Sequence, residues 1–244
     1  MSITEASPSG RPTVVLVHGA FAESSSWNGV IAGLLADGFP VIAAANPLRG
    51  VASDAAYVRT LLGDVDGDLI LVGHSYGGAI ISNAAKGLDQ VKALVFIGAF
   101  APEEGESAAQ LAGKYEGGTL GDTLTAVDLG AEGNDLYIVQ SKYHEQFAAD
   151  SPADVAAAMS VTQRPILEAA LNEASGAPAW RDIPSWFLFG SADKNIPAES
   201  HRFMAERAGS RHTIELAGGS HTAGIPEAAQ VVALIREAAD AVAG

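Results

Sequence analysis

The chain has 244 residues, 48% of them hydrophobic and 18% charged, the composition of a globular chain with one substantial core. Fourteen Lys and Arg stand against 29 Asp and Glu, a formal net charge of −15. That balance argues against nucleic acid as a partner, because no basic cluster is there to neutralise phosphates, and it gives an anionic membrane nothing to attract. Cysteine is absent, which excludes disulfides and a thiol nucleophile.

Residues 1–11 are polar and loop-like, without the basic start and apolar run of a secretory signal, and are expected to form a mobile tail. No apolar run approaches the ~18 residues of a membrane span, so a cytoplasmic protein is the default expectation. Thr13 to Val17 then reads as a buried strand ending at His18-Gly19. A helix follows from Trp27 to Ala36, with Ser24, Ser25 or Ser26 as its cap and Gly38 just past its end. Pro40 to Ala44 is a second strand, and Ser53 to Leu62 a helix capped by Ser53. Asp68 to Val72 is a third strand, a helix runs from Ser75 to about Leu88, and Val91 to Ile97 is a fourth strand. Strands that are continuous apolar runs and alternate with helices predict a parallel sheet covered on both faces.

From about Ala101 to Pro178 this pattern breaks. The segment holds glycine-rich turns and a helical stretch from Asp154 to Met159, but no clear strand. Thirteen of its residues are acidic and three are basic (Lys114, Lys142, Arg164), so it carries −10 of the net charge. The alternation resumes with a strand at Pro184 to Phe189, a helix from about Pro197 to Ala208, a strand at His212 to Leu216 and a helix over about 226–241. A composition shift between two pieces of one pattern predicts a core of residues 12–100 and 179–244, with 101–178 inserted as a cap.

Chemistry concentrates at Gly73-His74-Ser75-Tyr76-Gly77-Gly78, between a strand and a helix. G-x-S-x-G in that setting places a serine on a sharp turn with its hydroxyl exposed above the sheet. A serine hydroxyl needs an adjacent base, and in such a sheet the partners follow in the order serine, acid, histidine. Asp193 stands in Gly190-Ser191-Ala192-Asp193-Lys194, right after a strand, and His221 in Gly218-Gly219-Ser220-His221, after the last one. Ser75, Asp193 and His221 are therefore the predicted triad, with Glu103 and Glu104, just after the fourth strand, as runner-up acids. His201 and His212 read as ordinary helix and strand positions, and His74 as a local packing or hydrogen-bonding residue. The two N–H groups of an oxyanion hole are assigned to Ala20, in the loop after the first strand, and Tyr76, with Phe21 the neighbour if the turn shifts by one. Phe21, Phe100, Tyr137, Tyr143, His144 and Phe147 are candidates to line a substrate pocket, or to pack in the core.

These motifs together resemble the α/β-hydrolase superfamily, and within it most nearly the branch of small carboxylesterases, methylesterases, pyrethroid hydrolases and hydroxynitrile lyases. The resemblance implies an eight-stranded, mostly parallel sheet with helices on both faces and neither a metal nor an organic cofactor. It points to a serine hydrolase that cleaves small or medium neutral esters through an acyl-enzyme; the oligomeric state stays open. The acidic segment would repel a carboxylate-bearing substrate if its charges faced the cleft, and would aid solubility alone if they faced solvent. A lyase is the second reading, but Thr222-Ala223-Gly224 follows His221 where hydroxynitrile lyases of this branch carry a lysine. A perhydrolase side activity and a non-catalytic binding module are the remaining alternatives.

Overall fold

The computed structural model describes residues 10–243. Most of the expected tail, residues 1–9, lies outside that range. Six parallel strands form the central sheet: β1 (Thr13–Val17), β2 (Val41–Ala44), β3 (Leu69–His74), β4 (Val91–Ile97), β8 (Ser185–Gly190) and β9 (His212–Leu216). They lie in the order β2-β1-β3-β4-β8-β9.

Side chains alternate between the two faces of a strand, so each buried strand supplies both cores. Val14, Leu16, Ile70, Val72, Val95 and Leu188 pack on one face beneath α1 (Asn28–Ala36) and α9 (Ala228–Val242). Val15, Val17, Leu71, Leu94, Phe96 and Phe187 pack on the other, where α2 (Val51–Gly63) and α3 (Tyr76–Ala84) lie. Burial on both faces is why these strands read as uninterrupted apolar runs.

The residue pattern offered six strands, and among the described residues the sheet has six rather than the eight that the resemblance implied. The stretch between β4 and β8, expected to hold no strand, contains a second sheet of three antiparallel strands: β5 (Leu124–Asp128), β6 (Asn134–Ile138) and β7 (Ile166–Leu167). The pattern hid them because β5 is an exposed edge and β7 has only two residues. The same stretch forms α4 (Ala108–Ala112), α5 (Gln140–Phe147), α6 (Ala153–Thr162) and α7 (Glu168–Asn172), and α8 (Ala198–Arg207) follows β8.

Helix starts also differ from expectation. Ser24–Trp27 forms a 3-10 turn ahead of α1, with Ser26 donating to the Glu23 carbonyl. α2 begins at Val51, not Ser53; the Glu173 carboxylate accepts the N–H groups of Val51 and Ala52, capping the helix from a distant segment. α3 stops at Ala84, four residues short of the expected end.

Two buried histidines end adjacent strands. His18 Nδ1 donates to the Gly19 carbonyl (2.9 Å) and its Nε2 accepts the Asn46 N–H (3.1 Å), which requires the neutral ring. Burial pushes its pKa down to about 4. Burial, helped by the nearby His221, takes His74 down to about 3. Below pH 6.5 the unfolded chain binds these two protons and the native state does not, so stability should fall as pH drops. The slope should approach roughly 3 kcal/mol per pH unit between pH 6.5 and 5, and Asp54, raised by burial, offsets at most one proton of it. Urea unfolding at pH 7.5, 6 and 5 reads this directly; an equal midpoint at all three would contradict it.

The end of β8 and the turn after β9 meet backbone to backbone. A Cβ on Gly190 would stand 2.1 Å from the Gly219 carbonyl oxygen and 2.5 Å from that of Ser220. Main chain cannot swing aside as a side chain does. Gly190→Ala should therefore cost about 3 kcal/mol in chemical denaturation, whereas Gly63→Ala, which meets nothing within 4 Å, should not.

Candidate active site

Ser75 sits between β3 and α3 with φ +53° and ψ −124°, a left-handed conformation costly for a residue with a side chain. Close packing around it holds that turn. A Cβ on Gly77 would lie 2.3 Å from the Val17 carbonyl oxygen, so glycine alone lets α3 start directly against β1. Tyr76 follows, and its hydroxyl donates to the buried Asp54 carboxylate (3.2 Å).

Asp193 lies in the turn after β8 and is buried. Its Oδ1 accepts the backbone N–H of Asn195 (2.7 Å) and Ile196 (2.9 Å). Its Oδ2 accepts His221 Nδ1 (2.7 Å) and His201 Nε2 (3.1 Å). Burial alone would raise this acid; the adjacent His221 ring and the bonds from both histidines outweigh it and hold the carboxyl below the usual range. His201, read from the sequence as an ordinary helix position, is thus a fully buried partner of the acid. The sequence carried no signal for it beyond its place in the first turn of the helix that follows Asp193.

His221 belongs to a turn anchored on its other side as well. Asp150 accepts both the N–H and the hydroxyl of Ser220, and the Phe147 carbonyl accepts from Thr222 N–H and Oγ1. The His221 carbonyl in turn faces His74 Nε2 at 3.1 Å. Among the described residues the Nε2 of His221 is buried without a hydrogen-bond partner.

Ser75, Tyr76, Ala20 and His221 line one cavity of about 290 Å³. Its walls include Phe21, Phe100 and Phe147, with Leu120, Leu124 and Leu171 from the stretch between β4 and β8, and Asn195 and Ile196, which sequence reasoning missed. Tyr137, Tyr143 and His144 do not line it. Tyr137 pairs with Thr125 across β5 and β6, the Tyr143 hydroxyl donates to the Phe21 carbonyl (2.7 Å), and His144 meets the Ser151 carbonyl (3.0 Å). Among the described residues no acidic side chain lines the cavity: Asp135 pairs with Arg49 and Glu145 with Lys194.

Among the described residues the backbone N–H groups of Ala20 and Tyr76 have no hydrogen-bond acceptor. The neighbouring Phe21 N–H is taken, donating to the Arg164 carbonyl at 3.0 Å. Glu103 pairs with Arg181, and neither it nor Glu104 touches His221.

Known proteins fit this architecture. A family model described as the alpha/beta hydrolase family matches residues 14–234. A carbendazim hydrolyzing esterase from Nocardioides sp. (strain SG-4G) is 33% identical over 112 residues, 40% of this chain and 46% of that protein, so this match spans under half of the relative. An alpha/beta hydrolase, nvfD, from Aspergillus novofumigatus (strain IBT 16806) is 25% identical over 249 residues, covering 94% of this chain and 97% of the relative. The crystal structure of polyneuridine aldehyde esterase shares the fold, with a TM-score of 0.79 at 15% identity over 93% of this chain and 98% of that one. Since the family match runs from the first strand of the sheet into its last helix, the chain belongs to the alpha/beta hydrolase family.

Proposed function

We propose that the protein is a serine carboxylesterase that cleaves small or medium neutral esters through an acyl-enzyme. Ser75 attacks the ester carbonyl, and His221 Nε2 takes its proton and later returns one to the leaving alcohol. Asp193 holds His221 as the Nδ1–H tautomer and stabilises the imidazolium as it forms. The N–H groups of Ala20 and Tyr76 receive the negative oxygen of the tetrahedral intermediate. Water then enters by the same route to release the acid, with residues 101–178 as a cap over the cavity.

One observation carries the reading: His221 donates from Nδ1 to Asp193, while its other nitrogen is unpartnered in a residue that shares a cavity with Ser75. A base needs that free lone pair, and of the two histidines on Asp193 it is His221 that lines the cavity with Ser75. Relatives described as esterases support the reaction class.

Ser75→Ala should lower kcat for p-nitrophenyl butyrate on the order of 10³-fold or more, and Asp193→Asn should cripple turnover too. Glu103→Gln and Glu104→Gln should leave it unchanged. Equal rates for Ser75→Ala and wild type remove the assignment, and a reversed pattern among the acids moves the carboxylate to the turn after β4.

Among the described residues the cavity has no Lys or Arg to meet an anion, so a carboxylate entering it loses hydration without compensation. Mono-p-nitrophenyl succinate should show a kcat/KM on the order of 10²-fold below that of p-nitrophenyl butyrate. Comparable values would place a cation within reach of the acyl chain.

A further inference from the structure

The acid of this site has two histidine partners, and the reaction as proposed uses one. His201 Nε2 lies 3.1 Å from the same Asp193 oxygen that receives His221 Nδ1 at 2.7 Å. The ring is completely buried and stacks on Phe189 with centroids 4.7 Å apart and planes 14° from parallel. Its Nδ1 has no partner among the described residues.

Those facts fix its state. Burial disfavours the charged ring, and its pKa is lowered accordingly. Of the two neutral tautomers, only the one protonated at Nε2 gives Asp193 a donor; the other would set two lone pairs against each other. An apolar side chain could fill this space without leaving a buried nitrogen unpaired. The position is therefore occupied by a donor aimed at the carboxylate at the expense of an unsatisfied acceptor on its far side.

We propose that His201 is a positioning residue for Asp193: by donating to Oδ2 it completes the carboxylate's four hydrogen bonds, fixes its plane and limits its basicity toward His221. This rests on the reading of Ser75, Asp193 and His221 as the catalytic set. With two N–H groups on Oδ1 and His221 on Oδ2, the donor from α8 leaves the carboxylate no rotation that keeps all its partners. It also draws charge from the oxygen that faces His221. Without it, Asp193 would stabilise the imidazolium more strongly, and His221 would hold its proton to higher pH. The other titratable groups around the cluster are His74 at the end of β3, whose Nε2 faces the His221 carbonyl, His18 beyond it, and Glu215 on β9, which Arg202 engages.

The test compares His201→Gln, whose amide nitrogen can stand where Nε2 stands, with His201→Met, which fills the space without a donor. In pH profiles of kcat/KM for p-nitrophenyl butyrate, His201→Met should move the acid limb up by about half a unit to one unit and lower kcat about tenfold at unchanged KM. His201→Gln should restore both. Coincident acid limbs in wild type and His201→Met, or a Gln variant no better than Met, would overturn the proposal. A measurement on the wild type covers the case in which His201→Met does not fold. In ¹⁵N-histidine spectra between pH 5.5 and 8, His201 should be protonated at Nε2 and bare at Nδ1 throughout; the opposite tautomer overturns the proposal. Asp193→Asn separates the two claims: if it is inactive while the His201 variants behave as wild type, only the role of His201 fails, and if it is active, both readings fail.

Discussion

A carboxylate sealed away from water has to be given back, by the protein, the hydrogen bonds it gave up. Asp193 meets that condition with four donors drawn from three stretches of chain: two N–H groups of its own turn, His201 from the first turns of α8, and His221 from the turn after β9. Each donor constrains its stretch. The turn after β8 must curl so that Asn195 and Ile196 point back, α8 must begin within a few residues, and the β9 turn must approach until Gly190 has no room for a side chain. Removing the charge would leave these three stretches with no common point of reference.

The stretch between β4 and β8 ties down the same rim from the outside. Asp150 and the Phe147 carbonyl fix the turn that bears His221. Gln146 donates to Asn195 Oδ1 and to the Lys194 carbonyl, fixing the turn that bears Asp193. Tyr143 donates to the Phe21 carbonyl next to Ala20, and Arg49 reaches Asp135 and the Pro165 carbonyl. Tyr143, Phe147, Leu136 and Ile138 pack in the same apolar cluster as Val15, Leu71 and Phe96, so the stretch and that face of the sheet form one continuous core. A loosened segment would therefore disturb the loops beneath it as well as the cavity wall.

How much of this could be read from the chain depends on the range of each interaction. β1, β3, β4 and β8 were legible because burial on two faces writes itself as an unbroken apolar run. The strained turn at Ser75 was legible because it needs glycines at fixed offsets, and the meeting of Asp193 with His221 because each lies in a turn after a strand. β5 to β7 were not, since an exposed edge strand and a two-residue strand carry no such pattern. Capping of α2 by Glu173 was equally hidden, because a carboxylate 122 residues away replaces the local serine that the sequence offered. His201 stands eight residues from Asp193, and only the path of the intervening turn brings the two together.

Charge is distributed in this molecule so that the proposed reaction meets very little of it. The chain carries −15, yet among the described residues no acidic side chain lines the cavity: in the stretch between β4 and β8, Asp135 and Glu145 pair with cations, and Asp150 and Glu173 accept hydrogen bonds elsewhere. Around His221 the field is equally spare: His18, His74 and His201 are all held neutral by burial, and among the described residues Asp193 is the one anion bonded to it. A second positive ring there would oppose proton transfer to His221, and a second carboxylate would oppose the oxyanion developing near Ala20 and Tyr76. In the proposed reaction, one anion and three neutral rings would leave the forming imidazolium a single counterion, Asp193, held at Nδ1. The burial that makes the neighbouring histidines costly to protonate would thus leave Asp193 alone to set the polarity at His221 in that reaction.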